Sequence, residues 1–124
     1  MTNLYKIQLD HKQWQEHNFG VLPPEDSLLG IMEELGELSH AFTKAKQNVR
    51  IDEDHVANME DAVGDIAIFL MSFCSSQRLS FKACIENTWD KVKQRDWKKY
   101  PEKGVPYGDK VNKDCAPSET SEGE

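Results

Sequence analysis

Three glutamates fall within five residues in the string MEELGEL: Glu33, Glu34 and Glu37. On a helix, positions 34 and 37 lie one turn apart and 33 and 37 are also surface neighbours, so these carboxylates flank the helix's apolar stripe. A glutamate row of this kind also reads as a solvated acidic face. Asp65 adds weight to the other reading, because it sits inside AVGDIAIFL with apolar residues on both sides. An unpaired carboxylate in such a run is costly, so it calls for a Lys or Arg partner or a metal ion. Asp61 lies one turn earlier on the same face. If the two helices pack antiparallel, as a short connection favours, Glu33, Glu34, Glu37, Asp61 and Asp65 converge across one groove. Five carboxylates repel one another unless cations neutralise them, and an all-oxygen set without His or Cys selects a hard ion, Mg²⁺ or Mn²⁺. Gly30, Gly36 and Gly64 all fall inside the expected helices, where each costs about 1 kcal/mol relative to Ala. Gly36 and Gly64 adjoin the acids, which leaves a close helix approach, room for a ligand, or simple small-residue packing as reasons for them.

A second constellation lies in WDKVKQRDWKKYPEKG. On one helix Lys91, Arg95 and Lys98 form a single cationic stripe, which suits a helix C-terminus and also suits the outer phosphates of a nucleotide. Trp89, Trp97 and Tyr100 could stack on bases, but Asp90, Asp96 and Glu102 dilute the positive field, so nucleic acid ranks last among these readings. Near the N-terminus, Trp14, His17 and Phe19 could line an aromatic slot for a base, although a tryptophan at this spacing is more often a core residue.

Four helices must position these groups, and no segment alternates as a strand would; the predicted class is all-α. The first runs from about Asn3 to Asn18, with Leu4, Ile7, Trp14 and Phe19 as apolar positions. After the prolines of PPEDSLLG, with Glu25, Asp26 or Ser27 as first-turn acids or cap, the second runs to about Gln47. Its stripe of Leu28, Ile31, Leu35, Leu38, Phe42 and Ala45 must pack on something. The third spans about 54–76 and is the most apolar, and the fourth spans about 80–98, stopped by Pro101 and Gly104. The 124 residues fit one domain, 1–107, followed by an acidic tail, 108–124, whose composition predicts disorder. Fifteen Lys and Arg against 22 Asp and Glu give a net charge of −7, which argues against broad nucleic-acid binding. With no long apolar run and no signal-peptide pattern at MTNLYKIQLD, no membrane role is expected and the protein reads as cytoplasmic. Cys74, Cys84 and Cys115 are odd in number and show no CxxC spacing, so reduced thiols are expected.

GIMEELGEL, then EDAVGDIAIFL, then a helix ending in KQRDWKKYP resemble the MazG-like all-α nucleoside triphosphate pyrophosphohydrolases over roughly residues 25–101. That family pattern is EExxE followed by ExxD. Glu33, Glu34 and Glu37 match its first half and Asp65 its last position, whereas Ala62 stands where the family usually has a metal-binding Glu. Asp61 could substitute, being next to it on roughly the same face; Glu60 lies farther round. Lys91 fits the family's phosphate-contacting lysine, and Arg95 replaces an Asn commonly found a turn later. The resemblance implies a four-helix, bundle-like fold completed as a homodimer or homotetramer. It also implies cleavage of a nucleoside triphosphate between the α and β phosphates. In that scheme Glu34, Glu37 and Asp65 hold Mg²⁺, and Glu33 or Asp61 is the base or a further ligand. Lys91, Arg95 and Lys98 face phosphate, and Trp14 and His17 the base. The other reading is a helical module that binds metal or nucleotide and has lost turnover.

Overall fold

A computed structural model describes residues 3–106; the acidic tail and Cys115 lie outside the described residues. Among these residues there are four helices and no strand: α1 (Leu4–Phe19), α2 (Pro24–Gln47), α3 (His55–Ser76) and α4 (Phe81–Val92). None is long and apolar enough to cross a membrane.

Local chemistry explains most boundaries. The Asn3 side chain accepts the Lys6 N–H at 2.9 Å and starts α1, which ends at Gly20 with φ of 79°. Two prolines start α2: Pro23 is the cap residue and Pro24 the first helical position, where its missing N–H costs nothing. Ser27 does not cap this helix, as Glu25 and Asp26 occupy the first turn while Ser27 is buried. The left-handed Asn48 closes α2, and the Asp54 side chain opens α3 by accepting the Ala57 N–H at 3.0 Å. The expected fourth helix is too long: α4 stops at Val92, and Arg95 and Lys98 lie beyond it, Lys98 in a turn. Lys91, Arg95 and Lys98 therefore do not form one helical stripe. Beyond α4 the Asp96 side chain accepts the N–H groups of Lys98 and Lys99, giving the backbone a turn in place of a further helical run.

The chain divides into two compact units, Met1–Ala83 and Cys84–Glu124, with the boundary inside α4. In the first, α2 and α3 pack antiparallel: Ser27 meets Ser72, and Gly30 meets the ring of Phe69. Small and polar residues contribute much of their contact, with Ser27, Gly30, Ala41, Ala62 and Ser72 all buried, beside the Phe69 ring. An alanine Cβ at Gly30 would come within 2.5 Å of Phe69, so this glycine is what allows the ring to lie against α2. Helix α1 joins α3 through Gln8, whose amide donates to Ser75 Oγ at 3.1 Å and the Leu79 carbonyl at 2.9 Å while accepting the Phe81 N–H.

The large apolar side chains behave otherwise. Leu4, Trp14 and Phe19, expected to seat α1 in the core, are exposed, and the buried residue of that helix is Gln8. The expected α2 stripe is also largely open, with Leu35 at 52% and Phe42 at 58% exposed; only Ile31 and Leu38 are half-buried. Leu28, Leu35 and Phe42 recur at intervals of seven on α2, and Val56, Val63 and Leu70 do so on α3, all of them exposed.

Candidate functional site

The acids of α2 and α3 share one cleft of about 540 Å³, lined by Glu33, Glu34 and Glu37 on one side and Asp61 and Asp65 on the other. The antiparallel pairing is the cause. Starting from Ser27 against Ser72, two turns forward on α2 and two turns back on α3 lead to Glu34 and Asp65. Buried Ala41 and Ala62 form part of the wall, so the cleft follows from small residues where the helices meet. Asp61 lines it and Glu60 does not, as the helix geometry around Ala62 predicts.

Glu34 is the half-buried member of the set, and the others are exposed. Partial desolvation, then the negative charges of Glu37, Asp65 and Glu33, raise its pKa above the ordinary carboxylate value. No Lys or Arg among the described residues pairs with any of the five acids. Asp65 is itself exposed, so the burial cost expected from its apolar flanks does not arise and it needs neither a Lys or Arg partner nor an ion. The oxygen donors and their mutual repulsion suit a hard divalent ion in chemistry. Their placement is looser, for no group of three or more described His, Cys, Asp or Glu side chains is arranged to hold a metal ion. Holding one would require the exposed carboxylates to swing inward around Glu34.

Two further lining residues escaped the sequence reading: His40 and Asn58. Each continues an acidic face by one turn, His40 three positions after Glu37 and Asn58 three before Asp61, so the spacing could have found them. Gly36 lines the cleft with nothing within 4 Å of a Cβ built on it, and Gly64 is equally open. Close approach therefore explains Gly30, whereas Gly36 leaves space.

A second cleft of about 240 Å³ lies between α1 and the other end of the α2/α3 pair. His11, Gln15, Ser27, Ser72 and Ser75 contribute to it. A directed chain of hydrogen bonds crosses it, from Ser27 Oγ to Ser72 Oγ and from Ser72 Oγ to Gln15 Oε1, both at 2.9 Å. His11 Nδ1 is buried without a hydrogen-bond partner, and burial lowers the pKa of its ring. Trp14 and His17 line neither cleft; Trp14 instead stacks near His11 and edge-on to Phe19 along an exposed face. Helix α1 thus turns His11 and Gln15 inward, a face that its aromatic residues do not mark. Lys91, Arg95 and Lys98 belong to the second unit, Lys91 in the last turn of α4 and the other two in the segment that follows.

No family model, curated protein or solved structure matches the chain.

Proposed function

We propose that the chain is a Mg²⁺-dependent nucleoside triphosphate pyrophosphohydrolase of MazG-like type, releasing a nucleoside monophosphate and pyrophosphate. The observation that carries this reading is the convergence of five carboxylates, unpaired with any described Lys or Arg, on one cleft. Glu34, Glu37, Asp61 and Asp65 are the residues to hold Mg²⁺, or Mn²⁺, and Glu33 is the candidate base that positions the attacking water. When bound, the ion supplies charge neutralisation at phosphate oxygens and a more acidic water. In this reading the raised pKa of Glu34, set first by partial desolvation and then by its acidic neighbours, includes a crowding of negative charge that a cation relieves. Lys91, Arg95 and Lys98 are assigned to phosphate. Trp14 and His17 are weaker candidates for the base than His11 and Gln15, which line a cleft.

Assembly belongs to the same reading. Heptad spacing of exposed Leu28, Leu35 and Phe42 beside Val56, Val63 and Leu70 is the pattern of a helical seam, so the α2/α3 pair is suited to a second copy of itself. A dimer built this way completes a four-helix core, and a tetramer pairs two of them.

The test is pyrophosphate release from a panel of ribo- and deoxyribonucleoside triphosphates with and without Mg²⁺. Release is expected only with the metal, and Glu37→Gln should reduce it by at least about a hundredfold, the scale of losing a transition-state charge contact. Asp61→Asn should weaken metal affinity as well; unchanged affinity would show that Asp61 does not replace the missing Glu. One observation favours a second reading, a nucleotide- or metal-binding module without turnover. Ala62, buried in the cleft wall, offers no ligand, and the acids are not gathered to hold an ion. Nucleotide binding with no release in the same panel would select it.

A further inference from the structure

The segment after α4 reverses the charge of the chain, with five Lys or Arg against two acids over residues 93–104 in a protein of net charge −7. Its backbone is closed on itself. The Asp96 N–H donates to the Gly104 carbonyl at 2.7 Å, the Gly104 N–H to the Tyr100 carbonyl at 2.8 Å, and the Tyr100 N–H to the Asp96 carbonyl at 2.8 Å. Asp96 Oδ1 also accepts the N–H groups of Lys98 and Lys99 at 3.2 and 3.0 Å, so the acid in this basic segment is engaged as a turn cap. Gly104 is buried with φ of 80°, a conformation suited to glycine. A Cβ at that position would meet Arg95 Cβ at 3.0 Å, Arg95 Cγ at 3.1 Å and Trp97 Cε2 at 3.2 Å. The stem of Arg95 therefore lies directly against the Gly104 backbone, and the knuckle sets where its guanidinium begins.

We propose that Asp96 and Gly104 are positioning residues of an anion-binding knuckle that presents Arg95 and Lys98 to a phosphoanhydride such as pyrophosphate. This rests on the assignment of Arg95 and Lys98 to phosphate made above. The backbone N–H groups of Lys98 and Lys99 are already held by Asp96, so side chains must take the anion, and the planar fork of Arg95 matches two phosphate oxygens. A short, highly charged anion fits a local basic patch, whereas a long polyanion would also meet the acidic remainder of the chain.

The experiment is titration of the full chain with inorganic pyrophosphate, in EDTA at low salt, by calorimetry, with a single-stranded oligonucleotide in parallel. Plain electrostatics predicts that Asp96→Ala, which removes an acid, tightens binding. The knuckle predicts the reverse: Asp96→Ala weakens it about fivefold, the scale of a lost cap, while Asp96→Asn, which keeps the acceptor, stays within about twofold or tightens. Gly104→Ala should weaken it as well, with melting curves showing that the chain remains folded. Equal or tighter binding by Asp96→Ala, no pyrophosphate binding by the native chain, or equal affinity for the oligonucleotide would each overturn the proposal. Pyrophosphate binding by a native chain that releases no pyrophosphate from any triphosphate would count against the hydrolase reading and support the knuckle.

Discussion

Alanine at Gly30 and alanine at Gly36 should change stability in opposite directions, although both substitutions fall in α2. Each exchange gains about 1 kcal/mol of helix propensity. At Gly36 nothing lies within 4 Å of the new methyl, so that gain stands and Gly36→Ala is the more stable protein. At Gly30 the methyl arrives 2.5–2.8 Å from three atoms of the Phe69 ring, so the ring must retreat by close to 1 Å. Overpacking of this kind costs about 1–3 kcal/mol. The propensity gain is common to both variants, so the difference between them isolates the clash. At roughly 4–8 °C per kcal/mol for a domain of this size, the two melting temperatures should separate by about 5–20 °C. Thermal and urea unfolding followed by circular dichroism measure the difference, and Phe69→Leu, which removes the ring, should bring the two glycine variants back together. Equal melting temperatures for Gly30→Ala and Gly36→Ala would mean that the close contact of α2 with Phe69 is not formed, and the register of the acidic cleft would lose its support.

The remaining expectations concern charge and assembly. The pKa of Glu34 lies above the ordinary 4.5, so the folded chain holds a proton more firmly than the unfolded one; that stabilisation is complete below about 4.5 and is lost as pH rises through the folded value. Glu34→Gln should therefore melt higher than the native chain at pH 7 and lose this part of the pH dependence, and a lower melting temperature at pH 7 would contradict the desolvation and charge crowding assigned to Glu34. Phe42→Asp or Val63→Asp should yield particles near the 14.2 kDa chain mass by sedimentation, against a multiple of it for the native chain. A native chain that sediments as a monomer at micromolar concentration would remove the seam from the reading.

Much of this arrangement is legible without coordinates. Asn3, Pro24 and Asp54 mark helix starts because their chemistry is local, and the acidic cleft follows from two helical faces joined by a short connection. Three things are not local and were missed. The burial of Gln8, Ser27 and Ser72 depends on partners 67, 45 and 57 residues away, so a polar residue within a helix gives no sign of it. The end of α4 depends on Asp96 and Gly104 acting together, whereas propensity alone would carry the helix on to Lys98. Trp14, Leu35 and Phe42 are apolar at helical spacing, yet periodicity reports only that a face seeks cover and not whether the cover comes from the same chain.

The Ser27, Ser72 and Gln15 relay bears on how the three helices find one alignment. A seam of repeating apolar side chains looks nearly the same after a slide of one heptad, so it selects a face and leaves the axial position poorly specified. Two hydroxyls and one amide joined in a fixed donor order hold the three helices at this setting, and a slide of one turn would part Ser27, Ser72 and Gln15 from one another. The relay thus works as an index mark, much as a lone polar residue does in a coiled coil. Its setting is what brings Glu34 opposite Asp65, so the acids owe their meeting to hydroxyls two turns away.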